Sequence, residues 1–133
     1  MKNYLLVIFS LFIGGGLGAT LRYFICKILS NKFSILNFPL GILISNLLGC
    51  FLIGFLSYYL LEIRASTYLK LLLITGFLGG LTTFSSYAFD SMRLLYQGKE
   101  SLFFLNIFLN NFFGILLAFL GYLLAKLLIF KGG

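Results

Sequence analysis

Long apolar stretches separated by short charged segments are the dominant pattern of this chain. A bilayer core about 30 Å thick is crossed by about 20 apolar residues in an α-helix. Four runs of suitable length contain no Asp, Glu, Lys or Arg: residues 3–21, 33–61, 71–89 and 101–125. We therefore predict one all-α domain over residues 1–133 with four transmembrane helices. The predicted spans cover approximately residues 4–25, 40–61, 68–95 and 102–128.

The composition excludes a water-soluble protein. The chain is 61% hydrophobic and 10% charged, whereas soluble domains carry about 25% charged residues. The first apolar run follows Lys2, as in a signal peptide, but it is as long as a full span and three more spans follow. We therefore expect a multi-pass protein of the bacterial plasma membrane, in contact with the lipid bilayer.

Positive charge is divided equally between the two faces of the predicted bundle. The net charge of +7 would suggest nucleic acid in a soluble protein. Here the basic residues flank the spans, so we expect lipid headgroups as their partners and no nucleic acid. The side with both tails and the middle loop has five: Lys2, Arg64, Lys70, Lys126 and Lys131. The other side also has five: Arg22, Lys27, Lys32, Arg93 and Lys99.

This balance bears on topology and assembly. An excess of Lys and Arg normally marks the cytoplasmic side, and an even split selects neither side. The chain is therefore predicted to insert both ways up. Two copies of opposite orientation can pair as an antiparallel homodimer, a two-chain version of the inverted repeats in transporters.

Polar residues near the middle of the spans are amides and hydroxyls, whereas Asp90 lies one to two turns past the middle of the third span and Arg22 near the end of the first. No carboxylate lies at mid-span, and the chain has no histidine. A proton-coupled exporter needs a titratable group in the membrane, and a hydrolase needs a nucleophile with a base. The pattern argues against an enzyme and favours passive binding of a small dehydrated ion. Its candidates are Asn46, Thr75, Thr82, Thr83, Ser85, Ser86, Asn106, Asn110 and Asn111.

The third span has a weak point in the segment GFLGGLTTFSSY, residues 76–87. Its glycines and β-branched threonines disfavour a helix, so we predict a break near mid-membrane. A break frees backbone carbonyls, which lipid does not tolerate unless another group satisfies them. A cation at a dimer axis, held by carbonyls of both chains, would do so, and sodium suits such ligands.

Several side chains have two interpretations from residue type alone. The Asn46 amide can donate to an anion or form a hydrogen bond between helices. Phe84 and Tyr87 share a helix face, where ring edges can solvate an anion or simply pack. Asn106 and Asn110 also share a face, from which Asn111 is turned away. Cys26 and Cys50 are interpreted as small packing residues.

Three segments of the chain carry a resemblance to a known family. They are GGGLGATLRY at residues 14–23, PLG with NLLGCF at residues 39–41 and 46–51, and GFLGGLTTFS at residues 76–85. All three resemble the Fluc (CrcB) family of fluoride channels. The resemblance covers nearly the whole chain. It implies a fluoride-specific channel that exports fluoride passively and lowers its cytoplasmic concentration. It also implies a dual-topology homodimer with two antiparallel pores and a structural sodium ion.

The resemblance also implies roles for individual residues. Backbone carbonyls of Gly79 and Thr82 are expected to hold the sodium. Arg22 falls at the family's vestibule arginine. The fluoride pore is expected to include Asn46, Phe84, Ser85, Ser86, Tyr87, Asn106 and Asn110. This chain departs from the family at Tyr87, where phenylalanine is common, and at Asn106 and Asn110, where many members carry Tyr or Ser.

Two other function classes share some of these features. A small four-helix multidrug exporter has the same size and charge balance, but it needs a carboxylate in its first span. No carboxylate lies between Lys2 and Arg22. A membrane assembly subunit would need only stripes of small residues for helix packing, and it would show no ion flux by itself. Such stripes are Gly41, Ser45 and Gly49 in the second span and Gly114, Ala118, Gly121 and Ala125 in the fourth.

Overall fold

Four long helices form the fold. The computed structural model describes residues 3–32 and 38–130; Lys2 and Lys131, two of the basic residues counted above, lie outside them. Helix α1 is Tyr4–Lys32 and α2 is Leu40–Glu62. The third span comprises α3, residues 67–81, and α4, Phe84–Tyr96. The fourth is α5, residues 100–130.

All four spans are long and apolar enough to cross a membrane. Helix α1 ends seven residues beyond the predicted span because the helix continues through Lys27, past the apolar run that defined the prediction. The turn after α4 contains Gly98 at φ +69°, a backbone conformation that glycine adopts without steric cost. Ser66 caps α3, since its side chain accepts from the Leu69 amide at 3.2 Å.

Two stretches of wider π-helix interrupt the regular geometry. One is Leu71–Leu78 within α3, followed by the last turn Gly79–Leu81. The other is Leu109–Phe113 within α5. Such stretches are uncommon in proteins and occur frequently at functional sites. They change the direction in which neighbouring side chains project, which matters for the cavity described below.

Glycines let α1 and α3 touch backbone to backbone. A Cβ at Gly18 would collide with the Phe77 carbonyl and lie 2.8 Å from the Leu81 nitrogen. From the other side, a Cβ at Gly80 would collide with the Gly15 carbonyl. Small residues commonly allow such close approach in membranes, where packing rather than hydrophobicity joins helices. Helices α1 and α3 therefore form one tightly packed pair.

Helices α2 and α5 form a second pair by the same means. A Cβ at Gly54 would collide with the Ala118 carbonyl, and one at Gly121 with the Phe51 carbonyl. The two pairs meet where α1 packs against α2, with Gly41 against Cys26. Ala118 and Gly121, from the small-residue stripe of the fourth span, thus serve helix contact within one chain.

Replacing Gly18 by alanine tests the α1–α3 contact. We expect Gly18→Ala to lower the free energy of unfolding by about 1–3 kcal/mol, the usual cost of overpacking. Gly16→Ala is the matched control, because a Cβ at Gly16 meets nothing within 4 Å. Thermal unfolding in detergent, followed by circular dichroism, measures both. Equal unfolding temperatures for the two variants would contradict the contact.

Candidate functional site: an uncharged cavity at the break in the third span

The break between α3 and α4 lies at two threonines. Thr82 and Thr83 have extended backbone conformations, with φ/ψ of −84°/153° and −153°/117°. The sequence predicted a break in this region from its glycines and threonines. Thr83 then caps α4, because its hydroxyl accepts from the Ser86 amide at 3.2 Å. The Thr83 hydroxyl also lies within hydrogen-bond distance of the Ser85 and Ser86 hydroxyls, at 3.2 and 3.1 Å.

Asn46 of α2 binds the backbone at this break. Its Oδ1 accepts from the Thr83 amide at 2.8 Å, and its Nδ2 lies 3.4 Å from the Thr83 carbonyl. In a continuous α-helix the Thr83 amide would instead donate to the Gly79 carbonyl, four residues back. The asparagine side chain therefore takes the place of a helical hydrogen bond and holds the chain in its broken form.

A chain of side-chain hydrogen bonds connects Asn46 to α5 and then to α4. Asn46 Nδ2 donates to Asn110 Oδ1 at 3.0 Å, and Asn110 Nδ2 donates to Asn106 Oδ1 at 3.0 Å. Asn106 Nδ2 donates to the Ser91 hydroxyl at 2.9 Å, and Ser91 donates to the Tyr87 carbonyl at 2.8 Å. Every member finds partners inside the bundle, which a polar group in an apolar medium requires.

Next to the break is an open cavity of about 560 Å³ lined by α2, α3, α4 and α5. Among the described residues that line it, none is acidic or basic. Its walls combine amides, hydroxyls, apolar groups and two aromatic rings. The lining residues that carry polar or aromatic side chains are Asn46, Thr75, Thr82, Thr83, Phe84, Tyr87, Asn110 and Asn111.

The two aromatic rings meet edge to face at one wall of the cavity. The centroids of Phe84 and Tyr87 are 5.5 Å apart, and their planes are inclined at 63°. Phe84 is 79% exposed in the single chain, so only part of its ring contacts its own bundle. An aromatic edge carries partial positive charge, and the cavity can therefore offer weak attraction to an anion there.

Comparison with known proteins identifies the family. The profile described as CrcB-like protein, Camphor Resistance (CrcB), matches residues 9–122. A protein of Hydrogenobaculum sp. (strain Y04AAS1) is 46% identical over 127 residues, covering 95% of this chain and 99% of the relative. One of Aquifex aeolicus (strain VF5) is 42% identical over 121 residues, covering 90% and 97%. Both are named fluoride-specific ion channel FluC. The chain belongs to the CrcB/FluC family.

Membership confirms the resemblance drawn from the three sequence segments. Relatives in the CrcB/FluC family are ion channels rather than enzymes, as expected from the polar residues of the spans. Together with the four candidate spans, membership identifies this chain as a membrane protein. The roles expected of individual residues remain predictions, and their positions in the structure bear on each of them.

Arg22 reaches the break rather than an open surface. Its Nη1 donates to the Thr82 carbonyl at 3.1 Å, and its side chain is half-buried. One turn farther along α1, Cys26 lines a second cavity, of about 440 Å³. Asp90 and Arg93, which also line that cavity, form an ion pair at 3.1 Å. Arg22 thus lies between this polar cavity and the broken span.

Three predicted pore residues do not line the larger cavity. Asn106 is 1% exposed and lies behind Asn110, with both halves of its amide engaged by neighbours. Ser85 and Ser86 contact the Thr83 hydroxyl and are also absent from the described lining. These side chains support residues that do line the cavity, and a direct pore role for them stays a prediction.

Asn111 was placed wrongly by its helical spacing. The sequence indicated that it faces away from Asn110, yet both residues line the cavity. The cause is the π-helical stretch Leu109–Phe113, whose wider turn reduces the angle between successive side chains. Asn111 also donates to the Tyr87 hydroxyl at 3.1 Å. The three closely spaced asparagines of α5 were the available signal, but their spacing alone does not reveal a π turn.

Removing the Asn46 side chain should loosen the break. In Asn46→Ala we expect faster hydrogen exchange at the Thr83 amide, because its acceptor is lost and the helix geometry offers no ready replacement. Ser45→Ala is the matched control, since the Ser45 hydroxyl donates to Gly41 within its own helix. Hydrogen exchange followed by mass spectrometry of the peptide around residues 82–86 measures the effect. Protection at Thr83 equal to that of the unaltered protein would refute the role of Asn46.

Proposed function

We propose that this protein is a channel that conducts fluoride passively across the membrane. The observation that carries the proposal is the cavity at the break, whose described lining provides amide and hydroxyl groups and no acidic or basic side chain. Relatives that match almost the whole chain are named fluoride-specific ion channels. The relatives indicate the ion, and the amide and hydroxyl donors of the cavity are compatible with a small anion.

Hydrogen-bond donors replace the water that fluoride loses on entry. The Asn46 Nδ2 contact to the Thr83 carbonyl is 3.4 Å long, beyond the usual range of 2.7–3.2 Å. That N–H is the most weakly held donor of the amide, and we propose that it turns to fluoride. Because amides and hydroxyls do not titrate near neutral pH, conduction needs no coupled proton transfer.

The ring edges of Phe84 and Tyr87 provide the next step of the path. An ion channel must bind its ion well enough to admit it and weakly enough to release it. Ring edges suit this requirement, since their partial positive charge is smaller than that of a Lys or Arg side chain. We propose that fluoride passes along these edges after leaving the amide donors.

Entry is proposed to occur near Arg22. The guanidinium is permanently charged and lies one turn from the 440 Å³ cavity lined by Cys26. A fixed positive charge beside an aqueous cavity raises the local concentration of anions. Arg22 therefore serves two purposes in the proposal, as an attractor of fluoride and as a donor to the Thr82 carbonyl.

The working unit is proposed to be an antiparallel homodimer in the plasma membrane. Support comes from the equal division of Lys and Arg between the two sides. The high exposure of Phe84 also fits, because a partner chain would complete the surroundings of that ring. The two copies would provide two pores of opposite direction, related by an axis in the membrane plane.

A structural sodium ion is proposed at the dimer axis, held by the backbone carbonyls of Gly79 and Thr82. The Gly79 carbonyl fits such an ion, since hard cations prefer oxygen ligands. The Thr82 carbonyl already accepts from Arg22 Nη1 at 3.1 Å, so it would offer the sodium its second lone pair. Diversion of the Thr83 amide to Asn46 removes a helical donor from the Gly79 carbonyl. A Cβ at Gly79 would meet nothing within 4 Å, so the backbone there is open to approach. The ion would supply positive charge close to the pores.

The proposed role is protective. Fluoride enters cells from acidic surroundings as the neutral acid and is trapped inside as the anion. A passive, selective pore lets the anion leave down its own gradient and lowers its cytoplasmic concentration.

Fluoride efflux from liposomes tests the proposal directly. Purified protein is reconstituted into vesicles loaded with fluoride or chloride, and release is followed with ion-selective electrodes. We expect rapid fluoride release and little chloride release. Absence of fluoride release from correctly folded protein would overturn the proposed function.

Phe84→Ile tests the contribution of the aromatic edge in the same assay. We expect at least about a tenfold loss of fluoride flux, since the edge charge disappears while most of the apolar volume stays. Phe89→Ile is the matched control, because Phe89 is on the same helix and 68% exposed but does not line the cavity. Unaltered flux in Phe84→Ile would return this ring to a packing role.

Labelling of introduced cysteines tests the antiparallel arrangement. Gln97→Cys and Ala65→Cys place thiols in turns on opposite sides of the bundle without changing the charge balance, after Cys26 and Cys50 are replaced by alanine. With dual topology, an impermeant maleimide applied to intact cells labels each variant in part. Complete labelling of one variant and none of the other would indicate a single orientation.

A further inference from the structure

Asn111 and Tyr87 form a hydrogen-bonded pair within the lining of the larger cavity. Asn111 Nδ2 lies 3.1 Å from the Tyr87 hydroxyl oxygen and 2.8 Å from the Ile107 carbonyl oxygen. The pair connects α4 to the π-helical stretch of α5, and both side chains face the same space as Asn46 and Asn110. The path described above uses the ring of Tyr87 but neither its hydroxyl group nor Asn111.

The direction of this hydrogen bond follows from the second contact. A backbone carbonyl can only accept, so the Asn111 atom beside Ile107 must be the amide nitrogen rather than the oxygen. That nitrogen has two hydrogens and no acceptor capacity. One hydrogen goes to the Ile107 carbonyl and the other to Tyr87, and therefore the Tyr87 oxygen is the acceptor.

The hydroxyl proton of Tyr87 is consequently free for another partner. A phenol can donate one hydrogen bond in addition to accepting. Within residues 3–32 and 38–130, no side-chain or backbone oxygen accepts from the Tyr87 hydroxyl. Since Asn111 occupies an acceptor position on the phenol oxygen and Tyr87 lines the cavity, the phenol O–H is available to an ion there.

We propose that Tyr87 donates its phenol hydrogen to fluoride, and that Asn111 is the residue that positions the hydroxyl for this purpose. The inference rests on the proposed function and adds a donor to it. Fluoride, the smallest halide, accepts hydrogen bonds more strongly than chloride does. An added donor at the ring position therefore strengthens fluoride binding where phenylalanine would offer only ring edges.

Concentration-dependent efflux from liposomes separates binding from conduction. We expect Tyr87→Phe to raise the half-saturating fluoride concentration about three- to tenfold, the loss expected for one hydrogen bond. Asn111→Ala should also raise the half-saturating fluoride concentration. Since Asn111 acts through the hydroxyl, Asn111→Ala should have no further effect in a Tyr87→Phe background. Tyr122→Phe is the matched control, because it removes a phenol hydroxyl away from the cavity.

The outcomes distinguish this inference from the function on which it rests. No fluoride flux in the unaltered protein overturns both. If fluoride flux is present but its half-saturating concentration is unchanged in Tyr87→Phe, only the proposal that the Tyr87 hydroxyl donates to fluoride is overturned. Equal effects of Asn111→Ala with and without the Tyr87 hydroxyl overturn the positioning role of Asn111. A shift in both single variants, with none added in the double variant, supports the inference.

Discussion

The pairing of Asn46 with the backbone of Thr83 is the interaction on which the rest of the site depends. An interrupted helix inside a membrane exposes amide and carbonyl groups that lipid cannot satisfy. The Asn46 side chain accepts from the Thr83 amide and approaches its carbonyl. It therefore replaces a helical hydrogen bond that the break removes. Thr83 can then cap α4, whose first turn contains Phe84 and Tyr87.

The same amide also belongs to a network that reaches across three helices. A chain of hydrogen bonds connects Asn46 through Asn110 and Asn106 to Ser91 of α4. Individual hydrogen bonds between membrane helices contribute about 0.6 kcal/mol on average. The network therefore matters less for its total energy than for the fixed orientation it gives the donors. Flexible donors would have to be ordered again each time an ion arrives.

Sequence reasoning anticipated the four spans, because uncharged runs of bilayer length have few other physical explanations. It also anticipated the weak point of the third span from the glycines and threonines of residues 76–87. It did not anticipate the position of Asn111. The π turn within α5 depends on contacts with other helices, which the local sequence does not indicate. For the same reason the burial of Asn106 and the contact of Arg22 with Thr82 became apparent only in three dimensions.

The hydrogen bond between Asn106 and Ser91 has a consequence for the biogenesis of the protein. An asparagine within a lone apolar helix makes insertion into lipid costly. Ser91 and Asn106 lie on successive helices joined by the tight turn at Gly98, so they can meet as soon as α4 and α5 leave the ribosome. The two helices can thus enter the bilayer together as a hairpin in which Asn106 and Ser91 are already paired. The Asn106 amide is then sheltered before Asn46 of α2 arrives to pair with Asn110 and Thr83.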